Sequence, residues 1–224
     1  MASVLEIAER RSPIEAEVEL RRKFTTAEYW KMAELGFLSD ERTELLYGEI
    51  YRMMPIGPPH TECVTELAEF LREKLPKENW RVVSQATLEV NDHMPEPDLY
   101  IARGSRKSLS GRFPKSDELT LVVEVSDSSL RRDRGMKLSI YAESMIQTYW
   151  IVNLLDRQIE VYTDPYRDSD PEKSGYRSTR IYRENEHLVM MFENIEVRLT
   201  PGQVLPLKAD ESGKQPGASD VNNH

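Results

Sequence analysis

Three side chains of this sequence carry charge where charge is expensive. The run Leu121-Val122-Val123-Glu124-Val125-Ser126 sets a carboxylate inside an otherwise apolar stretch, and Pro97-Asp98-Leu99-Tyr100-Ile101 sets another directly after a proline, at the mouth of a predicted strand. A carboxylate left unpaired in a strand buried on both faces is strongly destabilising, so Glu124 must be paired, exposed at the strand end, or bound to a cation. Two carboxylates from neighbouring strands, completed by carbonyls and waters, are the oxygen ligands that Mg2+ or Mn2+ prefers. The purely structural alternative is a glutamate paired with one of the nearby arginines. Lys137 is the third group. At about 100° per residue it falls inside the apolar arc of Ile140, Tyr141 and Met145. A lysine there must snorkel, pair with Asp133 four residues earlier, or point its ammonium at something anionic.

The elements that would hold these groups follow from periodicity and punctuation. Thr25-Thr26-Ala27-Glu28 has the form of a capping box, and Tyr29, Met32, Ala33 and Leu35 follow at helical spacing until Gly36. Residues 44–53 alternate about Gly48, which predicts two short strands joined by a turn. From His60, the positions Val64, Leu67, Ala68, Leu71 and Leu75 define a second amphipathic helix, ended by Pro76. Strands are predicted over 80–90, 98–102 and 119–126, a helix over 136–145, and further strands over 148–154, 158–163, 177–183 and 195–199. Strands dominate, with helices before, between and after them, so the fold class is α/β or α+β with a mixed sheet. Residues 1–23 read as an N-terminal appendage, 24–207 as one domain, and 208–224 as a polar tail expected to be disordered.

A net charge of −9 argues against a protein that coats nucleic acid nonspecifically, because such affinity comes from Lys and Arg neutralising phosphates. Segment 101–140 is nevertheless basic. Arg103, Arg106 and Lys107, then Arg131, Arg132 and Arg134, are candidates for holding a nucleic-acid backbone, with a solvated charged face as the alternative. Familiar chemistries are missing parts: there is no Gly-rich phosphate loop and no Gly-x-Ser-x-Gly elbow. The histidines at 60, 93, 187 and 224 are scattered, and with the lone Cys63 they leave little for a structural zinc site. One cysteine also forbids an internal disulfide and makes the reducing cytoplasm the expected address. No apolar run approaches the ~20 residues that cross a bilayer. Charged residues interrupt the first dozen positions before an apolar signal core develops, so neither a membrane span nor a secretory signal is expected.

Pro-Asp on one strand, a buried Glu on the next and a lysine from the following helix resemble the PD-(D/E)XK nuclease superfamily, and specifically its Uma-type restriction-endonuclease branch. The likeness runs in order through Phe24-Thr25-Thr26-Ala27-Glu28-Tyr29, Glu44-Leu45-Leu46-Tyr47-Gly48-Glu49, Pro58-Pro59-His60, Pro97-Asp98-Leu99, Val123-Glu124-Val125-Ser126, 133–138 and Tyr149-Trp150-Ile151-Val152. The resemblance implies a restriction-endonuclease-like core, a mixed sheet flanked by helices. It also implies a Mg2+- or Mn2+-dependent phosphodiesterase in which Asp98 and Glu124 ligate the metal and Lys137 orients or polarises the attacking water. Glu44 matches the family's upstream acid, and His60 a histidine at the start of the second helix. Nucleic acid, with DNA as the expected polymer, would be the substrate, and a second copy of the chain, as a homodimer, the expected protein partner. The superfamily's usual lysine position, two residues beyond the glutamate, is Ser126 here, and the branch's Leu-Ser-Pro-Ser is 126–129 without its proline. Where the branch tends to have Glu before Tyr-Trp, this chain has Thr148. Two rivals stand beside the nuclease: a catalytically silent nuclease-fold binding or assembly module, and a metal-dependent hydrolase of a small phosphate ester.

Overall fold

The computed structural model describes residues 22–208. Apart from their inner edges, the appendage and the tail expected from the sequence lie outside the described residues. The capping box is formed: Thr25 caps α1 (Thr26–Glu34) through Glu28, and Gly36 just beyond the end has a φ of +82°. Strands β1 (Thr43–Leu46) and β2 (Glu49–Arg52) form the expected hairpin. Its two turn residues, Tyr47 and Gly48, both have positive φ, as a two-residue turn matching strand twist requires. A side chain on Gly48 would also put its Cβ 2.5 Å from that of Lys23, so the position is closed to anything larger.

The centre is a six-stranded mixed sheet in the order β3-β4-β5-β6-β7-β8. These strands are β3 (Trp80–Ser84), β4 (Leu99–Arg103), β5 (Leu119–Ser126), β6 (Thr148–Asn153), β7 (Gln158–Tyr166) and β8 (Gly175–Arg183). Within it β5 and β6 pair in parallel, and the other neighbours are antiparallel. A parallel pair needs a crossover, supplied here by residues 130–143: α3 (Leu130–Arg132), a π-helical turn (Asp133–Lys137) and α4 (Leu138–Glu143). Helix α2 (Pro58–Lys74) and the hairpin β9 (Leu188–Phe192)–β10 (Ile195–Leu199) cover one face. There Leu67 and Leu71 meet Leu121, Val123 and Trp150. The crossover covers the other face, where Ile140 and Tyr141 meet Val122, Tyr149 and Ile151. Alternation along β5 therefore sends Val123 and Val125 toward α2, and Glu124 toward the crossover.

Three expectations change. The strand expected over 80–90 ends at Ser84, because Gln85 turns into the left-handed region at φ 48° and hands its N–H to the carbonyl of Asp98. The sequence reading assigned nothing to β9, whose exposed positions Val189 and Met191 are themselves apolar and erase the alternation. The helix expected over 136–145 begins earlier, at Leu130, and holds the π-turn. That turn is tied down on several sides. The Asp133 carboxylate accepts hydrogen bonds from Ser126 Oγ at 2.6 Å and Ser129 Oγ at 2.5 Å, and the Asp133 carbonyl accepts one from the Tyr149 hydroxyl at 3.1 Å. Arg134 donates through two nitrogens to buried Glu160, at 3.0 and 2.5 Å. Removing the Tyr149 hydroxyl leaves a buried carbonyl in an already irregular turn without that donor. Tyr149→Phe is therefore expected to lower unfolding stability by about 1–3 kcal/mol, read as a lower urea midpoint at unchanged m-value.

Candidate active site

Strand register brings Asp98 and Glu124 to the same end of neighbouring strands. Leu99 pairs with Val123, so one step further out Asp98 lies across from Glu124. Asp98 Oδ2 accepts the Val125 backbone N–H at 2.8 Å and lies 3.1 Å from His60 Nε2. A carboxylate oxygen can only accept there, so Nε2 carries the imidazole proton. His60 is the third residue of α2, which opens Pro58-Pro59. Its other nitrogen, Nδ1, is buried with no hydrogen-bond partner. Glu124 Oε1 accepts from Lys137 Nζ at 2.9 Å and from the Tyr141 hydroxyl at 2.6 Å. Lys137 Nζ also lies 2.7 Å from Glu44 Oε1, which accepts the Glu96 backbone N–H as well. Glu44, Glu124 and Lys137 are all at or below 3 % exposed. Of the sequence alternatives for Lys137, the anionic partner is realised, but it is Glu44 and Glu124; Asp133 is held instead by two serines.

The electrostatics follow from that crowding. Burial pushes the Glu124 carboxyl well above its ordinary range; the Lys137 ammonium opposes this, while Asp133, Asp98 and Glu44 add to it. Burial alone would discharge Lys137, yet the surrounding Glu124, Glu44 and Asp133 more than compensate and keep it a cation. Burial also lifts Asp133 against the pull of Lys137 and its two serine donors. Two carboxylates thus share one ammonium, with Asp133 acting on it from a distance. Tyr141, which the sequence reading did not assign to the site, is raised well above the usual phenol range, chiefly by burial, and so remains a hydrogen-bond donor. Its signal in the sequence was its place four residues after Lys137 in one helical segment. Cys63 is buried in the core, its thiol pushed up to about 12 by desolvation, and is no nucleophile.

Asp98, Glu124, Lys137 and His60 line one cavity of about 90 Å³, walled further by the loop 53–57 and by Arg132. Asp98 Oδ1 and Glu124 Oε2 accept no hydrogen bond among the described residues. Among those residues no group of three or more His, Cys, Asp or Glu converges on one point. Two free carboxylate oxygens at one cavity nevertheless suit Mg2+, which keeps several waters and takes one or two protein carboxylates. The basic residues separate into groups. Arg132 lines the cavity, and Arg131 lines the cleft that adjoins it. Arg134 is held by Glu160. Arg103 closes the far end of β4, facing Glu193, roughly 16 Å along the strand from Asp98 at ~3.3 Å per residue. Arg106 lines a separate cavity with Arg81 and Tyr100, and Lys107 follows it in the same loop. The structure therefore does not bring Arg103, Arg106 and Lys107 to Asp98 and Glu124.

Comparison with known proteins bears on this geometry. The Uma2 family, described as "Putative restriction endonuclease", matches residues 26–200. The chain belongs to the Uma2 family. Asp98, Glu124, Lys137, Glu44 and His60 all fall inside the span that matches Uma2. No curated protein matches the chain. A similar fold is found in the crystal structure of "a putative nuclease belonging to DUF820 from Anabaena variabilis ATCC 29413". The two share 15 % identity with a TM-score of 0.51, over 75 % of this chain and 94 % of the other. At that identity the likeness carries the fold, a mixed sheet flanked by helices.

The shared ammonium gives this Uma2 protein a testable weakness. Lys137→Met leaves Glu44 and Glu124 buried without their cation, and stability is expected to drop by about 3–5 kcal/mol. Glu44→Gln in the Lys137→Met background should return part of the loss, which a double-mutant cycle in urea measures as a coupling between the two sites.

Proposed function

We propose that this protein hydrolyses phosphodiester bonds in nucleic acid, DNA being the expected polymer, with Asp98 and Glu124 holding Mg2+ or Mn2+. The observation that carries this reading is the convergence of Asp98, Glu124 and Lys137 on one cavity within a fold and family associated with nucleases. When bound, such a cation acts as a Lewis acid on the phosphoryl oxygens and lowers the pKa of its water. Asp98 Oδ1 and Glu124 Oε2 are the oxygens free to hold it. His60 fixes the Asp98 carboxylate through Oδ2, and the Val125 N–H fixes it from the neighbouring strand. Lys137 supplies a permanent positive charge beside Glu124, directed at the place where negative charge develops as the phosphorus is attacked. Tyr141 holds Glu124 from the crossover side. Arg132 at the cavity and Arg131 at the adjoining cleft would meet phosphates, a local positive focus on an acidic body.

A second reading, a nuclease-fold binding module without catalysis, draws on the net charge of −9 and on Lys137 being fully engaged by Glu44 and Glu124. Incubation with supercoiled and single-stranded DNA across Mg2+ and Mn2+ concentrations separates the two. Cleavage that requires the metal and falls by at least about a hundredfold in Asp98→Ala, the scale on which one electrostatic stabiliser acts, is the expected result. Binding without cleavage under every metal condition would leave only the module. Independently, Mn2+ should raise the melting temperature of the wild type but not of Glu124→Gln, whose metal-free stability should equal or exceed the wild type's because a buried carboxylate has become a neutral amide.

A further inference from the structure

We infer that the strand entering this site is single-stranded at the scissile position, an unpaired base lying in an apolar cleft beside the cavity that holds Asp98 and Glu124. The inference rests on the nuclease reading and names its substrate class. A cleft of about 590 Å³ adjoins the cavity; Met54, Ser128, Ser129 and Arg132 belong to both, and Arg131, Gly135 and Met136 complete its wall. Gly135 and Met136 also line the next hollow, about 400 Å³, together with Tyr47 and Tyr51. A track therefore runs from the carboxylates across the outer face of the π-turn to two tyrosines.

Two features of the track are not accounted for by hydrogen bonding or packing within the folded chain. Gly135 sits in the helical crossover without a positive φ, and a Cβ there would meet nothing within 4 Å, so neither backbone conformation nor packing requires glycine. Glycine is also a poor helix former. Its remaining physical use is to let a ligand approach the backbone closely. The Arg132 guanidinium makes no hydrogen bond or ion pair among the described residues, although its backbone N–H donates to the Ser129 carbonyl, and its Nε is buried without a partner. A buried donor without an acceptor is costly, and a phosphate oxygen at the cavity mouth would satisfy it.

The composition of the wall selects the form of nucleic acid. Met54 is 66 % exposed on the overhanging loop, and Met136 faces it across the cleft. A duplex presents phosphates and groove edges; the arginines and serines of the wall can meet its phosphates, but the thioethers of Met54 and Met136 gain little from either. The face of an unpaired base is what a polarisable side chain and a guanidinium plane can stack on, while Arg131 and Arg132 meet the adjoining phosphates.

Fluorescence anisotropy in EDTA, with a short fluorescein-labelled DNA strand alone and annealed to its complement, tests the cleft without requiring cleavage. The wild type is expected to bind the single strand about tenfold more tightly than the duplex, the scale of stacking one base. Gly135→Ala and Met54→Ala should each weaken single-strand binding about tenfold and leave duplex binding alone. The melting temperature of Gly135→Ala should hold or rise, since its added methyl meets no atom. Equal affinity for both forms, or variants that bind the single strand like the wild type, would overturn the inference even if metal-dependent cleavage proceeds. Conversely, no cleavage of any DNA with the anisotropy pattern intact removes the nuclease reading and leaves the single-strand cleft standing.

Discussion

The ammonium of Lys137 sits where no charge should be stable by itself, and much of the structure on that side of the sheet can be traced to what surrounds it. Glu44 arrives from the β1–β2 hairpin, Glu124 from the centre of the sheet, and Lys137 from the crossover. Desolvating any one of these groups alone would be severely unfavourable; desolvating them together lets each offset part of the others' cost. The arrangement is therefore cooperative. The hairpin cannot leave the sheet without exposing the lysine, and the crossover cannot shift without stranding two carboxylates. It also keeps Lys137 charged and held beside Glu124.

The π-turn makes that meeting possible. A widened turn carries one more residue than an α-helical turn would, and here its first two residues are pinned at different places along the sheet: Asp133 to the serines that end β5 and follow it, Arg134 to Glu160 on β7. Lys137 lies at the end of this irregular turn, and four residues later Tyr141 donates to the same glutamate. Irregular helix of this kind is frequent at functional sites. In this protein the same turn has two faces with different tasks. Its inner face holds charge against the sheet, and its outer face, at Gly135, is bare.

Much of this was legible from residue types. The capping box at Thr25 and Glu28, the turn at Gly48, the buried run around Glu124 and the inward direction of Lys137 are local or periodic features, and local physics dictates them. The partners of Lys137 were not legible. An i to i+4 spacing makes Asp133 the natural partner on a regular helix, and only tertiary structure reveals that two serines take Asp133 while Glu44 arrives from 93 positions upstream. The basic segment illustrates a similar limit. Arg103 and Arg132 look alike as charges near conspicuous carboxylates, but a strand carries its two ends apart, and β4 holds Asp98 at one end and Arg103 at the other. Strand β9 escaped because apolar side chains on its outer face remove the alternation that would reveal it.

The parallel pairing of β5 with β6 bears on when the protein becomes competent during its own synthesis. Antiparallel neighbours can zip from a tight turn, but a parallel pair must first close a long loop, paying the entropy before gaining the contacts. The chain emerges from the ribosome N-terminus first, so Asp98 and Glu124 are available well before β6 exists. The crossover that carries Lys137 gains the Tyr149 hydroxyl that grips its irregular turn only once β6 is in place. A half-made chain therefore displays acidic groups without their ordered cation. Topology alone withholds the finished constellation until the sheet has grown past its centre.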